Sequence, residues 1–205
     1  LKRSDLIIRY THRDFMVMEK PAGQPTLPGR LFPSFADDVL KAYPSQDNVG
    51  PKGDAGIVHR LDNDASGLVV VAKNDKAYDR LRHMFSIKEI VKDYDVLVYG
   101  YLDATGTIEA EITSKFGSRK RVSLLSGSDV SKTSYKCLGH YLYEHDDGFV
   151  PCSRAIATTT SGRRHQVRAH FLHIGHPVVG DLLYARRRPK FTGRMFFHAS
   201  GIRFK

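Results

Sequence analysis

Residues 57–73, IVHRLDNDASGLVVVAK, decide the expected fold of this chain. Residues 67–72 carry no charge and are rich in β-branched side chains, which predicts a buried strand of the core. His59, Arg60 and Asp62 precede this strand, so Asp62 is expected to stand at the start of a rigid element. A carboxylate held there is a candidate reactive group. The alternative is that Asp62 only forms a turn or caps a helix, as Asp residues near Asn and Gly often do.

The composition indicates a folded protein with a polyanionic partner. The chain has 205 residues, of which 41% are hydrophobic, enough for one sizeable domain or two small lobes around one cleft. Lys and Arg number 32 against 22 Asp and Glu, which gives a formal net charge of +10. Neutralising phosphates releases condensed counterions, but charge alone does not distinguish RNA from DNA or an acidic membrane surface.

Cysteine use and hydropathy indicate the compartment. Cys137 and Cys152 lack a CxxC spacing, which predicts a reducing, cytoplasmic environment and no structural metal. The sequence has no run of 18 apolar residues and no charged-then-apolar leader. Both observations argue against membrane insertion and secretion.

Periodicity predicts an α+β fold. Apolar residues at helical spacing predict helices at residues 34–43 and 75–87. A third helix is predicted at residues 164–174, closing at Gly175. Strand-like segments outnumber these helices and do not alternate with them as in a βαβ fold. The predicted strands are residues 5–10, 15–19, 67–72, 89–100, 106–113, 133–144 and 155–160.

A second charged centre lies at residues 161–170, SGRRHQVRAH. Arginines in the first turn of the predicted helix oppose the helix dipole, so a phosphate or a carboxylate is expected near them. The four histidines His165, His170, His173 and His176 suggest zinc, but only His170 and His173 fall near one helix face. No Cys or carboxylate stands at ligand spacing, so hydrogen-bonding histidines are favoured, and Gly180-Asp181 is interpreted as a turn.

These motifs resemble those of the HRLD-motif pseudouridine synthases, the type that modifies large-subunit ribosomal RNA (rRNA) and some transfer RNAs (tRNA). HRLD, followed by two residues, a small residue and Ser-Gly, resembles the central motif of that family, although Ala65 stands where Thr is usual. The segment from Ser161 through Gly180-Asp181 resembles the third motif, with Ser161 in place of Thr. Residues 14–28, with their Lys-Pro-x-Gly, and the terminal strand at 195–204 complete the resemblance in the correct order.

The resemblance implies the roles of individual residues. Asp62 is the catalytic residue, Arg168 pairs with it, and Tyr94 packs on the target base. Arg60 takes the place of the base when it is flipped out. The loop at residues 115–121, KFGSRKR, is either an RNA contact or a solvated run of charge. Further substrate-binding residues are expected at His59, Lys92, Arg163, Arg164, His165, Lys115, Arg119, Lys120 and Arg121.

The implied reaction isomerises a uridine in RNA and needs no cofactor. Asp62 attacks the sugar or the base, or removes a sugar proton, and the residues do not decide between these routes. The implied fold is a mixed, mainly antiparallel central sheet with flanking helices and a basic active-site cleft. We expect one catalytic domain over residues 1–205, with two lobes around one cleft and no additional N-terminal RNA-binding domain. We expect the protein to be a monomer that binds structured RNA. No obligate protein partner is expected.

Two other functions fit parts of the sequence. A non-catalytic RNA-binding or ribosome-assembly protein on the same scaffold has the same charge and loops, but it has no need of an acidic group in a basic cleft. A nuclease or phosphodiesterase with His165 or His170 as acid and base leaves Asp62 and Arg60 unexplained.

Overall fold

The computed structural model describes residues 6–29, 32–113, 123–125, 130–145, 148–185 and 193–204. The chain divides into two compact units. The first runs to Ile90 and the second from Val91 to Phe204. The sequence predicts one domain with two lobes, and the number of domains stays a prediction.

The sheet of the first unit includes the strand that follows the HRLD motif. Three antiparallel strands run in the order β1 (Ile7–Thr11), β2 (Phe15–Lys20) and β3 (Ser66–Ala72). β3 is buried along most of its length, and Val69 and Val70 are fully inaccessible to solvent. The prediction of a buried strand after the HRLD motif is therefore confirmed.

Two helices and a short 3₁₀ helix complete the first unit. Helix α1 is Phe35–Ala42, the 3₁₀ helix is Pro44–Asn48, and α2 is Asp75–Ser86. Ser34 and Asp37 form a reciprocal capping box at the start of α1, in which each side chain binds the backbone N–H of the other. Asn74 caps α2 by accepting the backbone N–H of Ala77. Both helices lie within two residues of their predicted bounds.

The second unit is built on six strands in the order β9-β4-β8-β7-β5-β6. The pairs β4–β8, β8–β7, β7–β5 and β5–β6 are antiparallel. One helix, α3 (Gln166–His173), packs against β5, β6 and β7. The strands are β4 (Ile90–Tyr99), β5 (Thr105–Thr113), β6 (Ser123–Leu125), β7 (Val130–His145), β8 (Gly148–Thr159) and β9 (Phe197–Phe204).

The α+β class and the mainly antiparallel pairing are confirmed, but three predicted details were wrong or incomplete. Strand β6 was not predicted. Strand β7 begins at Val130, before its predicted start at residue 133, and β8 begins at Gly148, before its predicted start at residue 155. Helix α3 begins at Gln166 rather than at residue 164, because His165 has a left-handed backbone with φ of 55°. Within the described ranges, none of the helices is long and apolar enough to cross a membrane.

Candidate active site

The loop that carries Asp62 is fixed at the preceding residue, Leu61. Leu61 is buried, and its backbone N–H donates to the Thr26 hydroxyl oxygen at 3.1 Å. The same hydroxyl donates to the Leu61 carbonyl at 2.8 Å. Thr26, only 1% exposed, therefore holds both backbone groups of Leu61, which restricts the conformations open to the adjacent Asp62.

Lys20 fixes Asn63, the residue that follows Asp62. This lysine is fully buried, and its Nζ donates to the carbonyl oxygens of Pro21 and Gln24 at 2.7 Å each and of Asn63 at 3.2 Å. Burial lowers the pKa of Lys20 to about 8, although the Asp64 and Asp62 carboxylates oppose the lowering. The ammonium form thus still predominates at neutral pH. The sequence analysis gave Lys20 no role, because a lysine before Pro-x-Gly carries no sign of burial.

Asp62 itself opens a turn that leads into β3. Its carbonyl accepts the backbone N–H of Ala65 at 3.1 Å, and its side chain is half-buried. Ala65, which replaces the usual Thr, is completely buried. The sequence predicts that the strand follows Asp62 directly, whereas the structure places Asp62 in a turn that ends before β3 begins at Ser66. The catalytic role of Asp62 stays a prediction.

The two residues of the motif before Leu61 differ in environment. His59 accepts the backbone N–H of Val70 on Nε2 at 3.0 Å, and its ring lies 4.6 Å from that of Phe85. An imidazole that accepts on Nε2 carries its proton on Nδ1. Arg60 is exposed. Of the two, Arg60 is the side chain available to a large ligand, and His59 is held against the scaffold.

Lys92 and Tyr94 lie two residues apart on β4, as predicted. Lys92 is only 7% exposed and donates from Nζ to the carbonyl of Ser161 at 2.8 Å. Burial lowers the pKa of Lys92 to about 8. The half-buried ring of Tyr94 lies 5.0 Å from that of Phe197 on β9. Lys92 therefore supports the backbone of the second charged centre, while Tyr94 has the firm packing that a stacking platform requires.

Gln166 organises that second charged centre, and the sequence analysis missed it. Its Oε1 accepts the Ser161 hydroxyl at 2.8 Å and the backbone N–H of Arg163 at 3.3 Å. Its Nε2 donates to the Lys132 carbonyl and the hydroxyls of Thr133 and Thr159. This buried amide thus ties the turn before α3 to the sheet, with Arg163 half-buried and Arg164 exposed.

Arg168 is buried at 4% exposure and forms a bidentate ion pair with Asp181. Nε donates to Oδ2 at 2.7 Å and Nη2 to Oδ1 at 2.8 Å. The interpretation of Gly180-Asp181 as a simple turn is therefore incomplete. Asp62 lies in the first unit, and Tyr94 and Arg168 lie in the second. The pairing of Arg168 with Asp62 stays a prediction.

Of the four histidines that suggest zinc, His165, His170 and His176 lie at hydrogen-bonding distance from protein groups. His170 is fully buried, with Nδ1 2.9 Å from the Thr133 hydroxyl and Nε2 3.2 Å from that of Ser131. His176 Nδ1 lies 2.7 Å from the Tyr99 carbonyl. Across the part of the chain that the structure describes, no group of three His, Cys, Asp or Glu side chains is placed to hold a metal ion. The predicted contact loop with Lys115, Arg119, Lys120 and Arg121 lies outside the described residues.

Comparisons with known proteins agree on one family. A model of the family described as RNA pseudouridylate synthase matches residues 14–173. Over 182 residues the chain is 34% identical to ribosomal large subunit pseudouridine synthase D of Buchnera aphidicola subsp. Acyrthosiphon pisum (strain APS), which covers 88% of this chain and 55% of that protein. The protein of the same name from Yersinia pestis is 34% identical over 184 residues, covering 89% of this chain and 53% of its own. The chain thus spans about half the length of these relatives.

Solved structures give the same result. Human RNA Pseudouridylate Synthase Domain Containing 1 matches with a TM-score of 0.80 and 29% identity, covering 99% of this chain and 80% of that one. Human RNA Pseudouridylate Synthase Domain Containing 4 has the same fold, with a TM-score of 0.70 over 96% of this chain and 83% of its own, at 17% identity. With the family model matching most of its length and its motifs placed on a common scaffold, the chain belongs to the RNA pseudouridylate synthase family.

Proposed function

We propose that this chain converts specific uridines in structured RNA to pseudouridine, with Asp62 as the catalytic residue. The observation that carries this proposal is the construction of the Asp62 loop. Thr26 holds the backbone of Leu61 before it, and Lys20 holds the carbonyl of Asn63 after it. A loop that only had to bind phosphate has no need of a carboxylate fixed on both sides. Catalysis has that need, because the reacting groups must be oriented in advance.

The proposed reaction balances without an external reagent. The bond from N1 of uracil to C1′ of the ribose breaks, the base turns over, and a bond from C5 to C1′ forms. N1 gains a proton and C5 loses one to solvent, so nothing is oxidised or reduced. Asp62 attacks the ribose or the base, or removes a ribose proton.

The remaining site residues serve recognition. The target uridine must leave the RNA stack before its glycosidic bond can be reached. Arg60, which is exposed, is proposed to occupy the space of the flipped base, and Tyr94, supported by Phe197, to stack on the uracil. Arg168 is proposed to orient the Asp62 carboxylate through charge-assisted hydrogen bonds.

The names of the relatives favour large-subunit ribosomal RNA as the substrate class, with transfer RNA as the second choice. The formal net charge of +10 fits either partner. We further propose that the protein acts as a monomer in the cytoplasm, without an obligate protein partner or a cofactor.

The burial of His170 argues against the nuclease alternative. A general acid or base must come within hydrogen-bond reach of its substrate. Both ring nitrogens of His170 are engaged by hydroxyls, and burial lowers the pKa of this imidazole to about 4. His165 Nδ1 likewise lies 3.1 Å from the Tyr184 hydroxyl.

The first prediction concerns Asp62→Asn, which keeps the side-chain volume and removes the carboxylate. Pseudouridines in total RNA are mapped by carbodiimide labelling and primer extension in cells that lack the gene, and again after complementation. Wild type should restore one or a few sites, and Asp62→Asn should restore none, because an amide can neither attack carbon nor accept the proton.

Asp64→Asn is the matched control, since Asp64 is exposed in the same loop and has no proposed role. It should restore every site that the wild type restores. Restoration by Asp62→Asn would exclude the proposed catalysis. If wild type restores no site in a strain whose other synthases are also deleted, the non-catalytic RNA-binding function becomes the better proposal.

A further inference from the structure

The side chain of Arg168 is held along one edge by Asp181. The pair uses Nε and Nη2 of the guanidinium against both carboxylate oxygens, and Asp181 is only 1% exposed. A planar guanidinium has a second edge, formed by Nη1 and Nη2, on which another carboxylate can be held. The contact with Asp181 therefore fixes the direction in which that second edge points.

Asp181 is itself immobilised. Its Oδ1 accepts the backbone N–H groups of Leu183 at 3.0 Å and of Tyr184 at 3.2 Å. Gly180, before it, has a φ of +80°, and a Cβ there would lie 2.3 Å from the backbone oxygen of Arg194. The carboxylate cannot swing away from Arg168 without breaking these contacts.

Tyr184 fixes the face of the same guanidinium. The Arg168 Cζ lies 5.2 Å from the centre of the Tyr184 ring, within cation–π distance. The Tyr184 hydroxyl is 3.1 Å from His165 Nδ1, and the two rings meet edge to face. One edge and one face of Arg168 are thus held by groups that are anchored elsewhere.

Stability alone does not explain this arrangement. A buried ion pair is often no more stabilising than well-packed apolar residues of the same volume, because burial desolvates both charges. An arginine whose task is to orient another group does require such support, since small displacements from the productive geometry cost much of the rate.

We propose that Asp181 and Tyr184 are positioning residues for pseudouridine formation: they set the plane and direction of the Arg168 guanidinium. The inference rests on the proposed function, in which Asp62 and Arg168 are the catalytic pair. It assigns to the Gly-Asp turn a role in the chemical step rather than in RNA binding.

The test measures single-turnover rates with enzyme in saturating excess over RNA. The probe is a transcript that spans the mapped uridine and carries tritium at C5, which is released to solvent on isomerisation. Under these conditions the rate constant reports the folded enzyme and does not depend on the fraction that is active. Asp181→Asn should lower this rate constant by about 100-fold and leave the concentration of folded enzyme for half-saturation within about 3-fold of the wild-type value.

The matched control is Asp95→Asn. Asp95 forms a bidentate pair with Arg154 on β4 and β8, so the same change removes the same kind of contact on the face of β4 opposite to Tyr94. Its rate constant should equal that of wild type. In an Arg168→Lys background, Asp181→Asn should cost less than about 3-fold, because a lysine has no planar edge to be oriented.

The outcomes separate the two proposals. A wild-type rate constant for Asp181→Asn, with Asp62→Asn inactive, overturns the positioning role and leaves the proposed function standing. The positioning role is also overturned if Asp181→Asn lowers the rate constant of the Arg168→Lys variant by the same factor as that of wild type, since Asp181 would then act by another route. Activity of Asp62→Asn overturns both proposals.

Tyr184→Phe covers the case in which Asp181→Asn does not fold. This variant keeps the ring over Arg168 and removes the hydroxyl that contacts His165. It should fold and lower the single-turnover rate constant by about 3- to 10-fold. If Asp181→Asn is unfolded and Tyr184→Phe has the wild-type rate constant, the positioning role is rejected. The Arg168–Asp181 ion pair is then purely structural.

Discussion

His170 is a buried residue whose protonation works against the folded state. Burial lowers its pKa from 6.5 to about 4 in the fold. Between these two pH values the unfolded chain binds a proton that the folded chain does not. The free energy of unfolding should therefore fall as the pH drops from 6.5 to 4, by up to about 1.4 kcal/mol per pH unit for this one group.

Urea unfolding at a series of pH values, followed by circular dichroism, measures this slope. His170→Gln should be less stable than wild type at pH 7 but should lose less stability between pH 6.5 and 4. His83→Gln, at an exposed position on α2, is the control and should keep the wild-type slope. Equal slopes for wild type and His170→Gln would show that His170 does not titrate with unfolding.

For single residues, the sequence predicted which residues belong to the candidate site better than it predicted their burial and their partners. Asp62, Tyr94 and Arg168 were selected as candidates from motifs, and the structure places Tyr94 on β4, Arg168 on α3 and Asp62 in the turn before β3. Lys20, Gln166 and Asp181 were not selected, because their importance comes from burial and from partners remote in the chain. Lys20 is joined to Asn63 and Gln166 to Lys132, across more than thirty residues in each case.

The capping box of α1 offers a test at the scale of one element. Ser34 is fully buried, accepts the backbone N–H of Asp37, and donates its hydroxyl to the Asp37 carboxylate. Ser34→Ala removes these bonds and should lower the free energy of unfolding by about 1 kcal/mol. Ser45→Ala, at an exposed position in the 3₁₀ helix, should change it by less than about 0.5 kcal/mol.

The measurement is again urea unfolding at neutral pH, with the two variants compared in one buffer. A loss for Ser34→Ala no larger than that for Ser45→Ala would mean that the capping box adds nothing to α1. The comparison is informative because both changes remove one hydroxyl, and only one of these hydroxyls caps a helix.

The elements that were predicted well are those with strong local signals. Helices α1 and α2 have side-chain caps and one apolar face, so their bounds were close. Helix α3 is buried on nearly every side, from Gln166 to Phe171, and offers no clear amphipathic pattern. Its start is set by the left-handed His165 and by the Gln166 side chain, which sequence periodicity cannot show.

At the scale of the whole molecule, the excess of positive charge should govern RNA affinity. Each phosphate contact contributes a slope of about −0.7 to the plot of log affinity against log salt for single strands. Three contacts already give a loss of more than about tenfold between 50 and 200 mM salt. Fluorescence anisotropy with a labelled transcript measures this slope, and affinity that is independent of salt would contradict it.

Arg164→Gln should make that slope less negative by about 0.7, because Arg164 is exposed beside the second charged centre. Arg13→Gln is the control, since Arg13 is 86% exposed and already paired with Asp14. It should leave the slope unchanged. Equal slopes for both variants would remove Arg164 from the set of phosphate contacts.

The order of the strands in the sheet cannot be predicted from local sequence patterns. In the second unit β4 is flanked by β8 and β9, strands that come more than fifty residues later. Alternating patterns predicted that these strands exist but not which neighbours they take. The resemblance to a family supplied what periodicity could not, namely a mainly antiparallel sheet.

The contacts of Lys20 also determine which positions near it tolerate substitution. All three of its acceptors are main-chain carbonyls, and Asn63 is joined to Lys20 and to Gly23 by its carbonyl alone. A carbonyl is the same whatever side chain is attached to it. Position 63 can therefore accept many amino acids while the loop keeps its shape, whereas position 20 accepts almost none. An alignment ranked by variability would rate these two partners as unrelated, although one bond joins them.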